Sequence, residues 1–353
     1  MSNPKFVISK EKILEQFEKI KNICDVVSYS SKTNPFVTKI LEENVDCMFS
    51  VHMINELKHI KDKSKILFLV QGWNQNEIRN LISNGVNSFV VDNKCDLNEL
   101  VCFLEKEDVE INLLLRVRLK EKTIRTERYF VFGMLSDVIN TKIKELRDNE
   151  KIKSKIKLLG IHFHRKTQNM AEWSLKYEFE EMIDEETRAL IDIVNIGGGL
   201  PSEYANTNVD VIKTIFTKIV EFRSWLNKQG IKLMVEPGRF IAAPSGKLIT
   251  EIRRIHENNI IINASVYNSD MDSLIVPVKL LVEGEVRKGQ GDSYVIKGIT
   301  PCSMDLFRYR VFLDNPKVGD EIIFLNAGAY NFSTDFCDLD KIETEIVEKF
   351  AKQ

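Results

Sequence analysis

The sequence predicts an α/β protein, a (β/α)8 barrel followed by a smaller antiparallel β domain. Three observations carry that prediction. Eight short apolar runs alternate with helical stretches across about 230 residues of this 353-residue chain, the scale of one such barrel. Several runs, such as Ile66-Leu67-Phe68-Leu69-Val70, are hydrophobic throughout, as strands must be when both sheet faces are covered. The residues best suited to chemistry fall at or just past the C-terminal ends of different runs, where such barrels keep their sites.

In chain order the strand candidates are 25–29, 45–50, 65–70, 87–92, 111–117, 157–164, 191–196 and 232–236. Between them, residues 75–83 read as a helix followed by the turn pair Asn84-Gly85. Residues 209–229 read as the clearest helix, with Ile212, Ile215, Phe216, Ile219 and Leu226 on one face and Gly230 as its stop. An open doubly wound sheet has the same element count, and only the placement of chemistry favours the barrel. After Ala242-Ala243-Pro244 the pattern changes. Strand-like pieces at 247–253, 260–267, 273–282, 292–299 and 321–325 are joined by Gly, Asn and Asp turns, and helical character returns only in the last stretch. The expected division is therefore a barrel over 1–242, its first few residues joining the other domain, and a β domain over 243–353.

Composition narrows the function. With 43% hydrophobic and 29% charged residues the chain reads as an ordinary soluble globular protein. A formal net charge of −2 supplies no basic field, which argues against a nucleic acid partner. No signal-like N-terminal segment and no membrane-length apolar run is present. Six scattered cysteines without a Cys-x-x-Cys pair fit reduced thiols in a cytoplasm.

Lys32 follows the apolar run Val26-Val27-Ser28-Tyr29 and stands between Tyr29 and Pro35. A lysine desolvated at a strand end has a lowered pKa and offers a free amine for a Schiff base, although most lysines are simply surface charges. Gly197, Gly198 and Gly199 follow Ile193-Val194-Asn195-Ile196. Such a run is either a plain turn or a place where unobstructed backbone N–H groups approach a phosphate. Glu236 ends Leu233-Met234-Val235 and precedes Pro237-Gly238-Arg239. It is either a solvated strand end or a carboxylate that keeps a heterocycle's nitrogen protonated. Lysine, glycine cradle and acid together are what pyridoxal 5′-phosphate requires.

His162 and His164 alternate on one strand and point to the same side. No carboxylate or cysteine stands near them at ligand spacing, so no metal is expected. His164 suits stacking on an aromatic cofactor, and His162 reads as an interior barrel residue. Cys302 lies in Gly298-Ile299-Thr300-Pro301-Cys302-Ser303-Met304-Asp305, a turn whose proline and aspartate suggest a shaped, functional loop. Cys24, Cys47, Cys95, Cys102 and Cys337 read as buried, inert thiols. Tyr330 follows Asn326-Ala327-Gly328-Ala329 and is either edge packing or a phosphate hydrogen bond.

Taken together and in this order, these segments resemble the fold type III pyridoxal phosphate decarboxylases, the group acting on ornithine, diaminopimelate, arginine and carboxynorspermidine. The resemblance runs over nearly the whole chain. It implies the alanine racemase/ornithine decarboxylase-like fold, a Schiff base at Lys32, stacking by His164, and Thr167 in place of a phosphate-binding serine. It further implies phosphate contacts from Gly197, Gly198, Gly199, Arg239 and Tyr330, within the Glu236-Pro237-Gly238-Arg239 and Gly328-Ala329-Tyr330 segments, and a pyridinium partner in Glu236. A homodimer with shared active sites follows from the same likeness, Cys302 of one subunit reprotonating Cα in the other's site. Three departures bear on the substrate. Ser303 stands where relatives carry an acid for a distal amine, leaving Asp305 at a different spacing. Val276-Pro277 replaces the Arg-Pro that grips diaminopimelate, and Val131-Phe132-Gly133 replaces a Lys-Phe-Gly. The expected activity is decarboxylation of an amino acid or an amino-acid-bearing metabolite. A racemase, which would pair the ring nitrogen with arginine, and a non-catalytic regulatory homologue are the alternatives.

Overall fold

The computed structural model describes residues 2–119, 131–207, 209–331 and 333–351. They form two compact units. One comprises residues 18–200 and 211–238; the other comprises the chain through residue 17, 201–210, and everything from 239 onward.

Strand β1 (Lys5–Ser9) belongs to the second unit. The first unit is the closed parallel barrel of β2 (Val26–Ser30), β3 (Met48–Val51), β4 (Ile66–Val70), β5 (Ser88–Val91), β6 (Ile111–Arg116), β7 (Ile156–His162), β8 (Ile193–Asn195) and β9 (Lys232–Val235). All eight expected strands are present in the expected order. The ring shuts where Val26 and Val27 pair with Met234 and Val235. Leu67, Val90, Leu114, Ile193 and Met234, from β4, β5, β6, β8 and β9, form one buried cluster. Gly160 of β7 is required there, because a Cβ would overlap the Ile193 carbonyl of β8.

The helix Gln75–Ser83 starts at Asn74, whose side chain accepts from the Asn76 and Glu77 amides while Glu77 returns to the Asn74 amide. It stops at Gly85, in the left-handed region at φ +90°, and the Val86 amide closes the last turn on the Leu81 carbonyl. The helix Ile212–Asn227 buries Ile215, Ile219, Phe222 and Leu226.

The second unit is an eight-stranded sheet. Its remaining strands are β10 (Gly246–His256), β11 (Asn259–Ile262), β12 (Leu281–Val282), β13 (Asp292–Lys297), β14 (Leu306–Leu313), β15 (Glu321–Leu325) and β16 (Glu343–Val347). Most ladders are antiparallel, but β1 pairs β16 in parallel and β11 pairs β13 in parallel. Three expectations need correction here. Residues 266–269 and 272–275 form short helices instead of strand, because Ser265 caps the first by accepting from the Tyr267 amide. The segment Leu306–Leu313 is a strand whose two arginines disguised it. Arg308 is buried and satisfied by the Leu280 carbonyl (2.8 Å) and Glu285 (2.8 Å). The last stretch is also strand, not helix, its charged residues lying in β16.

Among the described residues, no helix is long and apolar enough to cross a membrane, and no group of three or more His, Cys, Asp and Glu is placed to hold a metal ion. Cys24 and Cys47 are buried, and burial pushes each thiol up to about 12. Cys95, Cys102 and Cys337 are exposed, contrary to the expectation of burial.

Candidate active site

The barrel presents Lys32, His52, Arg116, His164, the glycines and Glu236 at the C-terminal ends of β2, β3, β6, β7, β8 and β9. Lys32 lies in a single helical turn, Ser31–Thr33, directly after β2. Asn34 then caps the helix Pro35–Asn44 by accepting from the Phe36 amide at 2.9 Å, with Pro35 at its first position. Tyr29 is fully buried, but Lys32 itself is exposed, not desolvated as the sequence suggested. Beside this turn, a Cβ on Gly238 would overlap the Thr33 hydroxyl and stand 3.1 Å from the Ser30 Cβ. The Ser30 amide donates to the Pro237 carbonyl at 3.1 Å. The lysine turn and the Glu236-Pro237-Gly238 segment are thus packed directly together.

Glu236 is the most constrained of these groups. It is 3% exposed. Its Oε1 accepts from Asn195 Nδ2 at 2.8 Å, and its Oε2 lies 3.4 Å from His162 Nε2. Burial alone would raise this carboxyl's pKa. The charge and hydrogen bond of His162, with the Asn195 hydrogen bond, overturn that and hold it below the usual carboxylate range. His162 is therefore more than a packing residue of the barrel interior, and its other nitrogen, Nδ1, is buried without a partner. Asn195 also accepts from the Gly197 amide at 2.8 Å, so one side chain joins the acid to the glycine run. The alternation of β7 and β8 offered a signal for both residues, since each lies two positions before a predicted site residue.

The glycine run needs to be glycine. Gly197 (φ +66°) and Gly199 (φ +92°) are left-handed. A Cβ on Gly197 would stand 2.7 Å from His164 Nδ1, and one on Gly198 2.7 Å from the Glu236 carbonyl. The Gly198 amide donates to His164 Nδ1 at 3.1 Å, fixing that ring. His164 is open at the mouth. The protein crowded around it, ahead of the charges of His162, Lys32 and Arg116, lowers its pKa despite the opposing pull of Glu236. Thr167 is half-buried in the following loop. The sequence reading passed over His52, whose Nδ1 is buried without a partner and whose pKa is pushed down to about 3 by burial and then by Lys32. It also passed over Arg116, paired with Asp92 at 2.9 Å.

In the second unit Arg239 opens the helix Arg239–Ser245. Its guanidinium is buried, paired through both nitrogens with Asp272, and donates to the Tyr204 hydroxyl at 2.9 Å. Charge and hydrogen bonds from Asp272 and Tyr204 outweigh its burial and raise its pKa. The Tyr330 ring lies 5.0 Å from this guanidinium, and Tyr330 is held at φ +59°. Two residues earlier in the chain, the backbones at Gly246 and Gly328 approach so closely that neither has room for a Cβ. Asp270 is buried near the pair with Oδ2 unpartnered, and burial followed by Asp272 raises its pKa well above the ordinary range.

Cys302, Ser303 and Asp305 share one turn. Cys302 is half-buried and Ser303 exposed. Asp305, offered by the sequence as a substrate contact, is buried and fully engaged. Its Oδ1 accepts from the Val266 amide (2.9 Å), and its Oδ2 accepts from the Thr300 amide (3.0 Å) and hydroxyl (2.7 Å). It builds the loop and has little capacity left for a ligand.

The residues fit pyridoxal phosphate on their own terms. A buried carboxylate held anionic at a barrel mouth suits a ring N–H. The Gly197 and Gly198 amides, expected from the sequence to be unobstructed, already donate to Asn195 and His164, so the glycine run suits a phosphate by the close approach that its missing side chains allow. Residues 10–243 match the family described as "Pyridoxal-dependent decarboxylase, pyridoxal binding domain". The chain is 26% identical over 308 residues to the 2-[(L-alanin-3-ylcarbamoyl)methyl]-2-hydroxybutanedioate decarboxylase of Staphylococcus aureus, covering 79% of this chain and 75% of that one. It is 22% identical over 349 residues to the diaminopimelate decarboxylase of Aquifex aeolicus, covering 94% and 82%. The fold matches lysine/ornithine decarboxylase from Vibrio vulnificus, solved with cadaverine, at a TM-score of 0.80 with 20% identity, over 98% of this chain and 94% of that one.

Proposed function

We propose, since this chain belongs to the pyridoxal-dependent decarboxylase family, that it removes the α-carboxylate of an amino acid, or of a larger metabolite bearing an amino acid end, as carbon dioxide. The observation that carries this is Glu236, a buried carboxylate kept ionised by His162 and Asn195. Pyridoxal 5′-phosphate, when bound, supplies the electron sink for the bond that breaks, and a protonated ring nitrogen makes that sink strong. A racemase of this fold would place arginine there, so the carboxylate favours decarboxylation.

The chain's own residues then divide the work. Lys32 attaches the cofactor and yields to the substrate's amine. His164, its ring fixed by the Gly198 amide, backs the cofactor plane. Thr167, Gly197, Gly198, Gly199 and Gly238 serve the phosphate. Arg239 and Tyr330 keep the phosphate duty that the family resemblance implies, although Asp272 and Tyr204 already engage the arginine side chain. Cys302 returns a proton to Cα. The assembly is a homodimer in which Cys302 serves the other copy's site, and the unpaired cysteines support a cytoplasmic location.

For the substrate, the named activity of the Staphylococcus aureus relative makes a citrate amide with an alanine-3-yl arm the first candidate. Ser303 and Val276, in place of an acid and an arginine, argue against a plain diamino acid or diaminopimelate. Two measurements test the function. B6-saturated protein should show absorbance near about 420 nm that Lys32→Ala abolishes. Carbon dioxide release should then be screened across citrate amides, lysine, ornithine, arginine, diaminopimelate and carboxynorspermidine. A colourless wild type, or no release from the whole panel, overturns the proposal.

A further inference from the structure

We propose that Tyr267 is the positioning partner of Cys302: its hydroxyl orients the sulfur and stabilises the thiolate left once the proton has gone. This deepens, and rests on, the reading that Cys302 reprotonates Cα. The Tyr267 hydroxyl lies 3.2 Å from Cys302 Sγ, and both groups are held from independent directions. On one side the Tyr267 ring stacks on Phe336, with centroids 3.9 Å apart and planes at 21°. The Tyr267 carbonyl accepts from the Thr334 amide (2.9 Å) and hydroxyl (3.1 Å), and that hydroxyl accepts from the Phe336 amide at 3.2 Å. The segment that supplies the stacking ring is thereby tied to the tyrosine it supports.

On the other side one carboxylate sets both members. Asp305 accepts from the Val266 amide, next to Tyr267, and from Thr300, which itself accepts from the Cys302 amide at 3.4 Å. The Asp305 amide donates to the Cys302 carbonyl at 3.0 Å. Gly298 has no room for a Cβ against this carboxylate. A tyrosine that merely covered surface would need none of this support.

The proton balance is simple. The Cys302 S–H bond breaks, a C–H bond forms at the product carbon, and the electron pair stays on sulfur, where the Tyr267 O–H donates to it; solvent later restores the thiol. Among the described residues, the titratable groups facing this pair are Asp305 and, toward the tyrosine, Cys337. The Tyr267 hydrogen bond leads the causes that lower the Cys302 thiol, while the same bond pushes the phenol up to about 12. Tyr267 therefore remains an O–H donor at neutral pH.

The test is the pH dependence of Cys302 alkylation by iodoacetamide, resolved by peptide mass spectrometry because Cys95, Cys102 and Cys337 are also exposed. Tyr267→Phe keeps the stack and removes only the donor. Its midpoint should rise by roughly half to one pH unit, and its turnovers should end in misprotonated product more often than in wild type, never more often than in Cys302→Ala. An unchanged midpoint overturns the proposal. Should Tyr267→Phe fail to fold, Phe336→Leu, which removes the stack and no polar group, must raise the same midpoint. The alkylation arm uses protein without substrate, so its failure is separable from a failure to release carbon dioxide.

Discussion

At the scale of single residues, the proposed chemistry turns on Glu236 and its two partners. Replacing the carboxylate by an amide, Glu236→Gln, keeps the shape and one accepting oxygen but removes the charge proposed to face the ring nitrogen. Turnover should fall at least about tenfold while cofactor absorbance persists; equal turnover would remove Glu236 from the mechanism. The same group sets an acid limit. Its pKa is lower in the folded protein than in the unfolded chain, so the unfolded state binds the proton more readily. Its stabilising contribution is fully present above the unfolded carboxylate pKa of about 4.3 and fades as the pH falls through the folded value. His162→Leu removes the main force holding that pKa down, so acid unfolding followed by circular dichroism should begin at a higher pH. Glu236→Gln should flatten that part of the profile. Lys32, Glu236 and the glycines stand out in the sequence because each breaks a local pattern. Asn195 and the part played by His162 do not stand out, because the alternation that sets them on the same side as Gly197 and His164 names no partner until the strands are placed.

At the scale of elements, the strands of the barrel were legible because uninterrupted apolar runs have few other uses. The second unit was harder to read. Its strands carry charges on one face, and Ser265 diverts the chain into a helical turn that strand propensity alone does not announce. Glycine placement is the sharpest element-level prediction. A Cβ on Gly198 must displace the Glu236 carbonyl, so Gly198→Ala should cost about 1–3 kcal/mol of stability and weaken cofactor binding, read by thermal melting with and without B6. Asn74→Ala, which removes the cap of Gln75–Ser83 far from the chemistry, should cost about 1 kcal/mol and leave cofactor absorbance intact.

At the scale of the whole molecule, the barrel-plus-sheet architecture was readable from element order, but the strand partners of the first residues were not. Sequence order hides that β1 lies between β10 and β16, pairing Lys5 with both Ile249 and Glu343. If the active enzyme is a dimer with Cys302 serving the other copy, mixing inactive Lys32→Ala with misprotonating Cys302→Ala subunits should restore part of the correctly protonated product by making one intact site per hybrid. No recovery after confirmed subunit exchange would refute the shared arrangement.

The interleaving of β1 also bears on synthesis. This strand is made long before its two neighbours: β10 emerges only after the entire ring, and β16 only after nearly all of the later sheet. Throughout that interval a sticky, two-edged ribbon waits without its mates, so a holdase chaperone, or slowed growth of the nascent polypeptide's tail, should influence the yield of native product more than any codon within the ring.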